Sequence, residues 1–184
     1  MQDRVEDRNI KIADFGFAKK VASEDSLLTK CGTPMYVAPE ILNGIPYGRK
    51  VDLWSLGVIG YILLVGRFPF TAIHDDELQY QIKKGLYQTK GQHWNEISSG
   101  AKGMVSSLLT VQPGNRLSAK QALLFPWMLN SHQALSSHDL CKNLVEFKRL
   151  NVKRKLRAAV FSVSTILQIT LQDLGLFSDL IFNS

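Results

Sequence analysis

The sequence predicts a mainly α-helical lobe with one residual short β-strand, followed by a basic amphipathic helix. Residues 53–65 are apolar almost throughout, and a thirteen-residue helix of this kind is too short to span a bilayer and typical of a buried core helix. Three further segments carry apolar residues at helical spacing, separated by Gly and Pro breaks. Residues 9–13 instead alternate polar and apolar side chains, as a short strand does.

The predicted elements have recognisable beginnings and ends. The strand precedes a long polar loop at residues 19–36 with no helical period, and long loops inside compact domains are usually functional. Asp52 is expected to cap the core helix, and Gly66 to close it. The amphipathic helices are predicted, each with a capping residue, at residues 76–84, 99–111 and 118–124.

The net charge of the chain is concentrated in one segment. Residues 142–157 contain seven Lys or Arg and one Glu, which accounts for the whole net charge of +6. Because the remainder is neutral, we expect no nucleic acid partner. Composition and charge divide the chain into a compact domain, a connector, a basic helix and an apolar tail of unknown role, at residues 1–129, 130–141, 142–167 and 168–184.

Two tripeptides flank the long loop. Asp-Phe-Gly at residues 14–16 directly follows the strand, and Ala-Pro-Glu at residues 38–40 begins 24 residues after the first. Further motifs occupy residues 31–37, 47–48, 51–58, 66–70, 113–118 and 126–127. In order and context, residues 9–129 closely resemble the activation segment and helical lobe of the Ser/Thr protein kinases, most like the calcium/calmodulin-dependent group.

This resemblance assigns the first tripeptide to the nucleotide site. Asp14 is expected to ligate the Mg²⁺ that bridges the ATP phosphates, because a hard cation prefers carboxylate oxygen. Phe15 is expected to pack beneath the nucleotide, and Gly16 to permit the backbone flip between active and inactive states. ATP and Mg²⁺ are therefore the cofactors expected of the complete enzyme.

The loop residues before the second tripeptide are assigned to substrate and regulation. In the family, the stretch of Gly32, Thr33 and Pro34 receives the substrate residue after the phosphoacceptor. Thr33 matches the hydroxyl that contacts the catalytic aspartate in Ser/Thr-specific kinases. Thr29 matches a threonine phosphorylated by upstream activating kinases, whose phosphate would order the loop by pairing with basic side chains. An ordinary polar loop residue is the alternative for Thr29.

Three residues are expected to be structural. Glu40 and Arg116 match a buried ion pair that fastens the activation segment to the helical lobe. Asp52 matches the aspartate that holds the catalytic loop from below, a role compatible with capping the core helix.

The basic segment has a resemblance of its own. Residues 147–160 resemble the autoinhibitory and calmodulin-binding helix of calcium/calmodulin-dependent kinase type II, and Asn143 stands near that family's autophosphorylated threonine. A basic amphipathic helix fits the Met-rich groove of calmodulin, whereas an anionic membrane surface or plain solvent are the alternatives. A membrane span is disfavoured, because Gln168 and Asp173 would lie within it. The expected calmodulin contacts are Lys153, Arg154, Lys155, Leu156, Arg157 and Val160.

Several kinase parts are missing from these 184 residues. The thirteen residues before Asp14 contain no glycine and no His-Arg-Asp, so the family's glycine-rich loop, ATP lysine and catalytic loop have no counterpart there. With no catalytic residue present, the chain is expected to be a C-terminal kinase fragment, inactive alone. A non-catalytic scaffold or calmodulin-binding protein derived from a kinase is the alternative. The expected partners are calmodulin, protein substrates and an upstream activating kinase. The two separated cysteines and the lack of a signal peptide favour the cytoplasm, with the nucleus as a second compartment.

Overall fold

The computed structural model describes residues 15–16, 18–21, 27–28, 33–129 and 143–156. Within them the prediction of a mainly helical lobe is confirmed, and no strand is found. The predicted strand, the connector and the apolar tail lie outside the described residues. The helices are α1 (Pro39–Leu42), α2 (Lys50–Val65), α3 (Asp75–Lys84), α4 (Gln92–Asn95), α5 (Ser99–Leu108), α6 (Ala119–Leu123) and a helix at residues 143–156, the tail helix, with 3₁₀ turns at Pro34–Tyr36 and Pro113–Asn115.

Helix α2 forms the centre of the lobe and packs against α5. Trp54 and Val58 are completely buried on the inner side of α2. The two helices approach closely at Gly57, where an added Cβ would lie 2.8 Å from the Cβ of Leu108. Because only glycine leaves room for this contact, the position of α2 against α5 depends on that residue.

Aromatic side chains fill the space between α2 and the chain that follows it. Trp54 stacks on Phe70 with 5.7 Å between ring centroids, and Tyr61 stacks on Trp94 at 5.4 Å. Tyr87 meets Tyr61, Phe70 and Trp94 edge-on. These geometries are favourable for aromatic pairs beyond the area that they bury.

The predicted cap of the core helix is wrong. Helix α2 begins at Lys50, with Arg49 as its N-cap and Asp52 inside its first turn. The amide of Asp52 already donates to the carbonyl of Arg49 at 3.3 Å, so the chain turns before Asp52 is reached. The other end agrees with the prediction, because Gly66 closes α2 in the left-handed conformation at φ 79°.

Helix α2 is also less enclosed than its apolar sequence predicts. Leu56, Ile59 and Leu63, spaced by three and four residues, are exposed within the described part of the chain. Apolar composition predicts burial without saying which neighbour covers each face. Among the residues that the structure describes, no helix is both long and apolar enough to cross a membrane.

The last helices of the lobe are shorter than predicted. Helix α5 ends at Leu108 rather than at residue 111. Helix α6 begins with a capping box, in which Ser118 Oγ accepts from the Gln121 amide at 3.2 Å and Gln121 Oε1 accepts from the Ser118 amide at 2.8 Å. Such reciprocal bonds satisfy two amides that a helix start leaves unpaired.

Candidate activation-segment site

The structure describes part of the site predicted from the sequence. Phe15, Gly16, Thr33, Pro34, Glu40, Asp52, Arg116 and residues 153–156 are described, whereas Asp14, Thr29, Gly32, Arg157 and Val160 lie outside the described residues.

A buried ion pair joins the two ends of the lobe. Arg116 Nη1 and Nη2 donate to Glu40 Oε1 and Oε2 at 2.7 and 2.9 Å, in a two-pronged arrangement. Both side chains are almost completely inaccessible, at 0% and 4% of their full exposure. Parallel bonds between a planar guanidinium and a carboxylate are among the strongest pairings in proteins. Glu40 lies in α1, so this pair fixes α1 and the loop before it to the distant 3₁₀ turn that precedes Arg116.

The guanidinium of Arg116 has further partners that complete its donor set. It donates to the backbone carbonyls of Thr110, Lys50 and Val111 at 2.9, 2.8 and 3.1 Å. Its Cζ lies 5.2 Å from the centre of the Trp54 ring, and Lys50 Nζ donates in return to the Arg116 carbonyl. A buried cation needs such partners, because an unpaired charge away from water is strongly unfavourable.

The turn that follows Thr33, at the described end of the predicted substrate stretch, is held against α2. Pro34 opens the 3₁₀ turn Pro34–Tyr36 that follows Thr33. Ser55 Oγ, on α2, donates to the carbonyl of Tyr36 at 2.9 Å, and the Tyr36 ring meets Phe68 edge-on at 5.9 Å. Thr33 itself is exposed, so its side chain is available to a ligand while the turn beside it is fixed.

Three of the predicted residues line one cavity of about 560 Å³, whereas Glu40 and Arg116 are not part of its wall. Phe15 and Thr33 lie in its wall together with Asp52, and Ser55 lines it from α2. On another side the loop is tied down by an antiparallel bridge, in which the amides and carbonyls of Leu27 and Tyr47 exchange hydrogen bonds at 3.1 and 2.9 Å. The cavity therefore places Phe15, Thr33 and the start of α2 side by side.

The Asp52 carboxyl at this cavity has altered acidity. The surrounding protein raises the pKa of Asp52 above its ordinary value, because it withdraws the carboxyl partly from water. The residue as a whole remains exposed, so this effect is modest. In the described part of the chain, no three metal-ligating side chains are grouped together.

The tail helix packs on the lobe through one face. Asn143 is buried, and Phe147 and Leu150 pack against the core at spacings of four and three residues. At the edge of this contact Glu146 pairs with Arg67 at 3.3 Å. Residues 152–156, which include the predicted calmodulin contacts 153–156, are exposed.

Sequence reasoning missed the groups that hold these pieces together. Ser55 lies in the motif at residues 51–58 and Lys50 directly before it, but their hydrogen bonds reach the carbonyls of Tyr36 and Arg116, in segments distant along the chain. The sequence places Asn143 near the family's autophosphorylated threonine, and its spacing to Phe147 and Leu150 is the one signal that indicates a polar residue on a buried face. Its partners are 50 and 79 residues away, beyond the reach of periodicity.

Comparison with known proteins identifies the family of the chain. Residues 2–128 match the family model described as the protein kinase domain. The chain belongs to the protein kinase family. This kinase chain is similar to calcium/calmodulin-dependent protein kinase type 1 of Caenorhabditis briggsae, at 41% identity over 169 residues, which are 90% of the chain and 46% of the relative. It is similar to the type II kinase of the same species at 38% over 161 residues, or 88% and 30% of the two proteins.

A third relative carries a different name. The human serine/threonine-protein kinase H1 is 43% identical over 140 residues, which cover 75% of the chain and 33% of the relative. These matches confirm the predicted resemblance to Ser/Thr kinases of the calcium/calmodulin-dependent group. The kinase chain spans between about a third and a half of the length of these relatives.

Proposed function

We propose that this kinase chain supplies the helical lobe and activation segment for phosphoryl transfer from ATP to Ser and Thr of protein substrates. The observation that supports it best is the buried Glu40–Arg116 pair. It anchors α1, which begins five residues after Pro34, and this anchoring is expected to hold the wall that would receive the substrate peptide in place. Rigid placement of the acceptor is the main protein contribution to this reaction, which needs little covalent chemistry from side chains.

The cofactor assignment depends on the first tripeptide. Asp14 offers the carboxylate oxygen that Mg²⁺ prefers, and a single carboxylate with substrate phosphates and waters is a usual magnesium set. When bound, Mg²⁺ and ATP supply the transferable phosphoryl group and neutralise its charge. Phe15 lies in the wall of the same cavity as Thr33, which is consistent with a nucleotide on one side and a peptide on the other.

We further propose that these 184 residues transfer no phosphate alone, since they include no His-Arg-Asp loop or glycine-rich loop. The purified chain should incorporate no label from radioactive ATP into a basic Ser-containing peptide, with or without Mg²⁺. Joining it to the preceding lobe of a relative should produce activity, and Thr33→Ala in that fusion should reduce kcat/KM. Label incorporation by the unjoined chain that disappears with Asp14→Ala would contradict the proposed inactivity.

The tail helix is proposed to bind Ca²⁺-loaded calmodulin. Val145, Val152 and Leu156 are exposed and spaced by seven and four residues, so they form one outward apolar stripe. Lys153 and Lys155 flank this stripe with positive charge, which suits a groove that is apolar with an acidic rim. The relatives named as calcium/calmodulin-dependent kinases support the same partner.

A peptide of residues 143–168 tests this proposal by calorimetry with Ca²⁺ and with chelator. Binding should require Ca²⁺, and Leu156→Glu should weaken it at least about tenfold, because a charge replaces an apolar anchor. Asn151→Glu is the matched control, since it adds the same side chain away from the stripe and should change the affinity little. Equal weakening by both variants would show that charge alone, rather than the stripe, determines binding.

Thr29 is proposed as the site of an upstream activating kinase. Treatment of the active fusion with such a kinase should raise its activity, and Thr29→Ala should abolish that increase. Mass spectrometry that locates the phosphate only at other residues would return Thr29 to an ordinary loop role.

A further inference from the structure

The tail helix carries a buried polar group where it meets the lobe. The Asn143 side chain is 1% exposed. Its Nδ2 donates to the carbonyls of Leu64 and His93 at 2.6 and 3.2 Å, and its Oδ1 lies 2.9 Å from His93 Nδ1. Because an amide oxygen only accepts, His93 must carry a proton on Nδ1 and donate it. Both ends of the amide therefore have partners, in a contact between the tail helix, the end of α2 and α4.

The backbone around Asn143 approaches the lobe too closely for other arrangements. A Cβ added to Gly66 would lie 2.6 Å from Glu146 Cβ and 2.8 Å from the Asn143 carbonyl oxygen. Phe147 and Leu150 continue the same face and touch the core. Beyond them, residues 152–156 are exposed. The tail helix thus has a docked first half and an exposed second half.

We propose that Asn143 is a latch that holds the first half of the tail helix on the lobe and sets whether the basic half stays beside the lobe or is released. A polar latch suits a reversible contact. When it opens, water can satisfy the amide, the two carbonyls and the imidazole, whereas an apolar contact of the same size would leave bare hydrophobic surface. The inference goes beyond the proposed function, because it requires neither catalysis nor calmodulin.

Hydrogen exchange of the full chain tests the latch. In Asn143→Asp a carboxylate, which cannot donate, faces the carbonyls of Leu64 and His93, and the latch should open. Exchange at the amides of Phe147 and Leu150 should become at least about ten times faster, while α2 keeps its protection. The control Asn151→Asp makes the same chemical change on the same helix at a half-exposed residue, and its exchange should match that of the unaltered chain.

A second variant removes only one of the three bonds. His93→Ala deletes the Nδ1 donor but keeps the His93 carbonyl, so exchange at Phe147 should rise by a smaller factor than in Asn143→Asp. Unchanged exchange in Asn143→Asp, or an equal rise in Asn151→Asp, would overturn the proposal. If Asn143→Asp also speeds exchange in α2, the change is not confined to the tail helix, and the exchange pattern of His93→Ala then tests the proposal. Faster exchange of the tail helix alone supports the latch, and any other pattern overturns it.

Discussion

Replacing Arg116 with Met should reveal how much of the lobe depends on its buried ion pair. The substitution keeps the length and apolar stem of the side chain while removing the guanidinium. It leaves the Glu40 carboxylate, at 4% exposure, without its partner. It also removes the three donors that reach the carbonyls of Thr110, Lys50 and Val111.

The expected loss in free energy of unfolding is large for one residue. Breaking one side of a buried ion pair costs about 3–5 kcal/mol, because the remaining charge stays away from water. The orphaned carbonyls act in the same direction, although such terms do not add in full. Domains are typically stable by about 5–15 kcal/mol, so Arg116→Met should leave the chain marginally folded or unfolded.

Urea unfolding followed by tryptophan fluorescence measures this loss. Trp54 is a suitable reporter, because Arg116 Cζ lies 5.2 Å from its ring. The matched control is Arg67→Met, which removes an ion pair whose arginine is 55% exposed and should cost less than about 1 kcal/mol. The double variant Glu40→Gln with Arg116→Met should recover part of the loss, since it leaves no buried charge. Equal unfolding midpoints for Arg116→Met and Arg67→Met would refute the reasoning.

Three further outcomes are expected. Burial raises the pKa of Tyr61 to about 12 from an ordinary 10.0, and its hydroxyl donates to the Gln88 carbonyl at 2.8 Å. Tyr61→Phe should therefore lower the free energy of unfolding by about 1 kcal/mol at neutral pH. Between about pH 10 and 12 the unfolded chain releases the Tyr61 proton before the folded chain does, so the unaltered chain should lose stability in this range while Tyr61→Phe does not. Desolvation also raises the pKa of Asp52, so the unaltered chain should lose stability as the pH rises through the titration of this carboxyl. Urea unfolding should therefore show the free energy of unfolding of Asp52→Asn increasing relative to that of the unaltered chain from pH 4 to 7, by less than about 1 kcal/mol. Gly66→Ala should cost about 1–2 kcal/mol by thermal unfolding, since φ is 79° and the tail helix leaves no room, whereas the control Gly114→Ala, with nothing within 4 Å, should change little.

The sequence predicted the elements whose signals are local. Ser118 and Gln121 stand three residues apart, and this spacing alone specifies the capping box at α6. Gly66 likewise predicts the end of α2 through its own conformational freedom. Asp52 misled because an aspartate before an apolar run is a usual cap, but the bonds of the preceding turn begin the helix earlier.

Contacts between distant segments could not be predicted in the same way. The burial of Trp54 and the exposure of Leu63 follow from which neighbour lies on each side of α2, while both residues contribute equally to its apolar pattern. The pairing of Glu40 with Arg116 was accessible only through resemblance, since 76 residues separate them. The docking of Asn143 had no motif at all, and its hydrogen bonds depend on the packed positions of α2 and α4.

The opposite faces of the tail helix connect the proposed latch to the proposed partner. Asn143, Phe147 and Leu150 face the lobe, whereas Val152 and Leu156 face away from it, roughly half a turn around the helix. A partner that needs only the outward stripe can bind without opening the latch. A partner that encloses the whole helix must first release it, and its apparent affinity for the chain falls below that for the peptide by the released fraction. The affinity of calmodulin for the peptide, divided by its affinity for the chain, therefore measures how strongly the latch holds the helix. If this ratio exceeds one, Asn143→Asp should raise the affinity of the chain to that of the peptide. If the ratio equals one, calmodulin binds the tail helix without undocking it.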